Sequence, residues 1–172
     1  MHVLQYIAVQ ADNEDEAMRT VEDTLNHELG IDEYQGSAWY DWFVVGGGRF
    51  TDGDPYQSSP NNVISYKGKP EEFLSMVDSM ISNRKEEFNR YRKTYDENNT
   101  DISTELDKYD GDMLYDFKLY DLSKMIDMIQ GKWDFNSYFY DMHNASTHTR
   151  WMKESIDKQP DVWYLIPVDF HF

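Results

Sequence analysis

The sequence predicts a single α+β domain, and three observations carry that expectation. Strand-like and helix-like segments alternate along the 172 residues, with no internal repeat of fixed period. That length suffices for one domain with a real core and is short for two without a clear linker. Aromatic residues make up 16% of the chain, which argues against disorder, because acidic disordered segments are poor in aromatics.

The first strand is expected over residues 3–9, apolar enough for a central position in a sheet. Asp12 or Asn13 can then cap a helix whose first turn holds Glu14, Asp15 and Glu16, where the helix dipole favours acids. Ala17, Val21, Leu25 and Leu29 recur at helical spacing, and Gly30 is the expected stop. Residues 39–45 read as a second strand by their aromatic and β-branched content. Residues 51–62, rich in Gly, Pro, Ser, Asn and Asp, form a loop, and residues 63–66 a short edge strand. Pro70, Glu71 and Glu72 open a long helix with Leu74, Val77, Ile81, Phe88 and Tyr95 as its apolar stripe. After an acidic loop over 96–112, residues 113–130 read as helical with Leu114, Phe117, Leu122, Met125, Ile126 and Ile129 inward and Gly131 ending the helix. Residues 137–141 can form a strand and 143–158 a turn and short helix. Gln159, Pro160 and Asp161 break that helix before a terminal strand over 162–172. The sheet therefore draws on residues 1–66 and 133–172, and the helical insertion on about 70–131.

Charge narrows the function classes. There are 33 acidic and 16 basic residues, a net charge of −17, which repels phosphates and anionic lipid and attracts basic partners. Direct nucleic-acid binding and electrostatic membrane docking are not expected. Five of the basic residues fall between Arg84 and Lys93, where a solvated helix face balancing an acidic body explains them. The absence of cysteine removes disulfides, thiolate metal sites and thiol catalysis. The opening residues lack the basic stretch of a signal peptide, and no apolar run approaches the roughly 20 residues a membrane helix needs. A cytoplasmic protein without a metal or cofactor is expected.

The most unusual segment is Ser37-Ala-Trp-Tyr-Asp-Trp-Phe-Val-Val-Gly-Gly-Gly-Arg-Phe50. Gly46, Gly47 and Gly48 let the backbone take positive φ or come close to another group, and Arg49 follows directly. In the terminal strand Asp169 and His171 are two apart and so share a face. The stretch from Trp39 to Phe50 resembles the W-Y-D-[YW]-[FY]-x-x-G-G-R-[WF] motif of small uncharacterised bacteriophage and prophage proteins. Asp161-Val-Trp-Tyr-Leu-Ile-Pro-Val-Asp-Phe-His-Phe172 resembles their V-D-C-H-[IF] ending. The sequence departs from the pattern in a third glycine before Arg49 and in Phe170, which stands where cysteine is usual. The resemblance covers about thirty residues and implies phage origin and a ferredoxin-like antiparallel or mixed sheet.

Two function classes follow. In the first, the protein is not an enzyme. Its acidic, tyrosine-rich middle binds a host protein with a basic surface, carboxylates standing in for phosphates and tyrosines supplying rigid contact area. Asp107, Tyr109, Asp110, Asp112, Tyr115, Asp116 and Tyr120 are the candidate contacts, and a phage protein inhibiting a host nucleic-acid or defence factor by mimicking DNA in the host cytoplasm fits them. In the second, Tyr40, Asp41, Gly46, Gly47, Gly48, Arg49, Asp169 and His171 form a ligand site or a structural motif. As a site they would serve an enzyme or a small nucleotide- or anion-binding protein; as a motif, Arg49 would lock Asp41 or Asp169 at a tight bend. His143 and His148, five apart, read as surface residues. No P-loop, H-E-x-x-H, G-x-S-x-G or spaced zinc set is present.

Overall fold

The computed structural model describes residues 1–27, 40–51, 56, 62–97, 117–130 and 149–171. Expected elements at 28–39, 98–116 and 131–148, the 137–141 strand among them, lie outside these residues. Strand β1 (His2–Gln10) leads into helix α1 (Glu14–His27) and then β2 (Trp42–Val45), a 3-10 turn (Gly48–Phe50) and β3 (Ile64–Ser65). Helices α2 (Pro70–Glu97), α3 (Phe117–Ile129) and α4 (Thr149–Lys158) come next, followed by a second 3-10 turn (Pro160–Val162) and β4 (Trp163–His171). The fold is α+β, with a four-stranded antiparallel sheet and helices inserted between its strands.

β4 is the centre of this sheet. β1 pairs one side of it, antiparallel, from His2↔His171 to Gln10↔Trp163. β2 and β3 share the other side, with Trp42↔His171 to Val45↔Val168 in one and Ile64↔Leu165 in the other. β1 and β2 thus run parallel with β4 between them, and α1 joins them, which is the split β-α-β unit of ferredoxin-like sheets. β1 is apolar enough to be central, yet among the described strands β4 holds that place. Eight consecutive residues of β4, Trp163–Phe170, are buried, whereas β1 begins with three half-buried ones.

α1 is capped by Asn13, whose Oδ1 accepts from the Glu16 N–H at 2.9 Å, while Glu16 Oε2 accepts from the Asp12 N–H at 2.8 Å. These bonds satisfy donors at a helix start that have no partner within the helix. Ala17, Val21 and Leu25 of α1 are fully buried against Ile7, Val9, Ile166, Val168 and Phe170. The opposite face of the sheet also buries Ala8 and Leu165.

The chain divides into two compact units, Met1–Met80 with Trp133–Phe172, and Ile81–Lys132. In the first, α2 buries Phe73, Val77 and Met80, while Leu74 is 39% exposed. Val77 is buried as expected, while Phe73 and Met80 lie inward of their neighbours Leu74 and Ile81, with Phe73 edge-on to Tyr66 at 5.6 Å. An exposed ion pair, Lys153 Nζ to Asp78 Oδ1 at 2.9 Å, ties α4 to this part of α2. In the second unit Tyr91, Asp121 and Met125 are buried, and Tyr91 meets Tyr120 edge-on at 6.3 Å. Ile126 and Ile129, expected inward, are exposed. Met125, also expected inward, is buried, and with Asp121 it marks the inward line of α3.

Candidate functional site

The glycine turn follows β2 directly. Gly46, Gly47 and Gly48 all have positive φ, at 94°, 92° and 46°, a region that side-chain-bearing residues rarely adopt. All three are buried. The Gly46 N–H donates to Pro167 O at 2.7 Å, and Asn62 Nδ2 donates to Gly46 O at 2.9 Å, which bridges the gap between β2 and β3 along the edge of β4. Thr51 closes the turn by donating its N–H and hydroxyl to Gly48 O.

The turn folds onto Asp169. A Cβ on Gly48 would lie 2.7 Å from Asp169 Oδ2, and a Cβ on Gly47 2.7 Å from the Thr51 methyl. Asp169 is fully buried, and among the described residues each of its oxygens has one partner. Oδ2 accepts the Arg49 backbone N–H at 3.1 Å, and Oδ1 lies 2.8 Å from His2 Nδ1. A carboxylate can only accept, so His2 Nδ1 is the donor there.

His2 is joined by His171 and Trp42, its neighbours across the strand ladder. The His171 ring stacks on Trp42 at 5.0 Å and 11°, and the His2 ring stands edge-on to His171 at 4.8 Å. His171 Nδ1 is buried 3.4 Å from Asp41 Oδ2, an ion-pair separation that lacks hydrogen-bond alignment. Asp41 itself is exposed, and its backbone N–H donates to His171 O at 2.7 Å. Tyr40 points away from this cluster. Its hydroxyl donates to Leu25 O at 2.8 Å, and burial pushes its pKa up to about 12.

The structure thus brings Asp41, Asp169 and His171 to one end of the sheet, with the glycine turn over Asp169. Arg49 reaches that cluster only through its backbone. Its side chain is exposed, and among the described residues it makes no ion pair. The expected lock on Asp41 or Asp169 is made instead by a main-chain N–H. His2 and Trp42 are the members that sequence reading missed; placing the first and last strands antiparallel sets His2 opposite His171.

Two clefts adjoin this region. One, of about 420 Å³, lies between the last turn of α1 and the start of β2, with Glu22, Asn26, Tyr40, Asp41, Trp42 and Phe43 in its wall. The other, of about 290 Å³, is lined by Leu4, Tyr6, Phe50, Asn62, Lys69 and Glu72 among others. Burial, and then the Glu72 carboxylate, raise the pKa of Tyr6 there. Of the partner-binding candidates, Asp107, Tyr109, Asp110, Asp112, Tyr115 and Asp116 lie outside the described residues. Tyr120 is 46% exposed on α3, with Lys124 Nζ 5.7 Å from its ring centre.

No family model matches the chain, and no curated protein or solved structure does either. Among the described residues, no three His, Asp or Glu side chains are placed to hold a metal ion, and no helix is long and apolar enough to cross a membrane.

Proposed function

We propose that this is a non-enzymatic binding protein that occupies a basic surface of another protein with its acidic, tyrosine-bearing middle. The observation that carries the reading is the uncompensated negative charge. The densest basic run of the chain lies on α2, and much of its charge is matched within that helix. Arg90 pairs with Glu87 at 3.4 Å, Arg92 with Asp96 at 3.9 Å and Lys93 with Glu97 at 3.6 Å. The last two pairs, exposed at both ends, add little stability, but together the three pairs reduce the cationic charge there that could oppose a net charge of −17. A basic groove built for phosphates is the complementary surface. The phage-like motifs favour a host nucleic-acid or defence factor in the host cytoplasm as the owner of that groove. The test is capture of partners from a bacterial lysate at low and high salt, beside a variant with Asp107, Asp110, Asp112 and Asp116 all changed to Asn. A charge-driven complex weakens with salt and with the variant; a complex indifferent to both overturns the reading.

One observation favours a second reading, in which the sheet end is an enzyme or small-anion site. Asp169 holds His2 Nδ1 as an orienting carboxylate holds a general base, with His171 alongside. On that reading His171→Ala abolishes turnover or ligand binding while Tm stays within a few degrees. A matching loss of Tm and binding would assign the cluster to structure instead.

A further inference from the structure

His2 and His171 stand opposite each other at the end of the sheet. Just beyond β1 the Ala11 N–H donates to Val162 O at 2.9 Å. Hydrogen-bonded and non-hydrogen-bonded pairs alternate along an antiparallel ladder, so Val3 falls in step with Ala11, and His2 faces His171 across a non-hydrogen-bonded pair, where side chains lie closest. His171 O accordingly accepts from Asp41 on the other side of β4. The two ring centres are 4.8 Å apart. Imidazoles bound to one tetrahedral ion through metal–nitrogen bonds of about 2.0–2.1 Å have centres about 5 Å apart. Each ring turns its Nδ1 to a carboxylate, His2 at 2.8 Å from Asp169 Oδ1 and His171 at 3.4 Å from Asp41 Oδ2. On neutral His2 this puts the proton on Nδ1 and the lone pair on Nε2, the tautomer and carboxylate support that metal-bound histidines use. Neither Nε2 has a described hydrogen-bond partner, and neither is buried.

The geometry points to a two-histidine site for a divalent transition metal of the imidazole-preferring class, Ni²⁺, Cu²⁺ or Zn²⁺, bound through Nε2 of His2 and His171. Asp169 orients the first ring, while Asp41 and the stacked Trp42, at 5.0 Å, restrict the second. A net charge of −17 concentrates cations around the molecule. Among the described residues no third His, Asp or Glu side chain joins the pair, so water completes the coordination and the ion stays open to an incoming group. Histidines near the two ends of a chain form no spacing motif, which is why the sequence predicts no metal. The site needs neither the acidic middle nor turnover, so it stands apart from the binding and enzyme readings.

The experiment titrates the full, untagged chain with Ni²⁺ at neutral pH and follows backbone amide resonances, which the paramagnetic ion broadens in its vicinity. Saturable, one-to-one broadening is expected at His2, Val3, Trp42, Phe170 and His171. His171→Gln changes a half-buried ring whose Nδ1 makes no hydrogen bond, and it weakens Ni²⁺ binding about tenfold or more. His2→Gln does the same; should loss of the Asp169 contact disturb the sheet end, His171→Gln alone carries the comparison. A variant with His27, His143 and His148 all changed to Asn keeps the original affinity. Mg²⁺, which prefers oxygen ligands, leaves these resonances unchanged, and Zn²⁺ raises the Tm of the unaltered chain more than that of His171→Gln. Broadening centred on carboxylates elsewhere, or Ni²⁺ affinity unchanged by His171→Gln, overturns the proposal. The Asn variants of the acidic middle leave this titration unaltered, so failure of the metal site and failure of the binding reading are read separately.

Discussion

Asp169 and Gly48 explain each other. A buried carboxylate needs partners for both oxygens, and the turn can deliver an N–H to Oδ2 only if the residue before Arg49 has no side chain to strike it. Gly48→Ala is therefore expected to cost about 1–2 kcal/mol for the positive φ and roughly 1–3 kcal/mol more for a displaced buried acceptor, read as a large fall in Tm. Arg49→Ala keeps the backbone N–H and removes only an exposed side chain, so its effect on stability should stay within about 0.5 kcal/mol. A strongly destabilised Arg49→Ala protein would show that the guanidinium, not the main chain, holds the turn. The need for glycine was legible in the run Gly46-Gly-Gly48, because three in a row announce positive φ. Which atom of Arg49 did the bonding was not legible: a sequence displays the side chain and hides the amide, and an arginine among so many acids suggests an ion pair first.

The elements repeat that lesson at larger spacing. In α1 the apolar residues fall on one face only, so Ala17, Val21 and Leu25 could be read as core, and all three are fully buried. In α2, Phe73 and Leu74 are adjacent and both apolar, and periodicity cannot choose between stripes about 100° apart. The choice is tertiary, with Phe73 packed against Tyr66 just before the helix. In α3 the adjacent Met125 and Ile126 pose the same choice, and Met125 is buried while Ile126 and Ile129 are left in solvent. The sheet was legible in its three longer strands but not in its order, because β1 and β4 are both apolar and only pairing distinguishes edge from centre. Ile7→Asp places an unpaired carboxylate in the core between β1 and α1 and should unfold the protein, a loss of several kcal/mol out of a usual ~5–15; circular dichroism that stays native would remove Ile7 from the core. Tyr40 links the start of β2 to α1 through Leu25 O, and Tyr40→Phe should cost about 1 kcal/mol near neutrality. Its pKa is raised from 10.0 to about 12, so between those values the unfolded chain has lost a proton that the native one keeps. That stabilisation is complete below pH 10 and falls as pH rises toward about 12. Tyr91 titrates in the same window, so Tyr40→Phe should make the alkaline decline of stability shallower without abolishing it, as unfolding followed from about pH 9 to about pH 12 would report.

For the whole molecule, charge and topology set the behaviour. A net charge of −17 makes the native state repel itself, and added salt screens that repulsion. Tm should rise between about 20 and about 300 mM NaCl, the opposite of the response expected of a complex with a basic partner. A Tm that falls over that range would mean that specific ion pairs outweigh the general repulsion. The sheet has a further consequence, which concerns time rather than energy. Its central strand comes after the other three in the chain, and the His2–Asp169 contact spans 167 residues. Among the described residues β1, β2 and β3 each pair with β4 and not with one another, so these pairings wait until β4 emerges. A nascent or truncated chain lacking residues 163–171 therefore lacks every described pairing of these three strands, and their edges meet whatever chaperone or protease arrives first. Closing so distant a ladder makes refolding slow, milliseconds to seconds rather than microseconds.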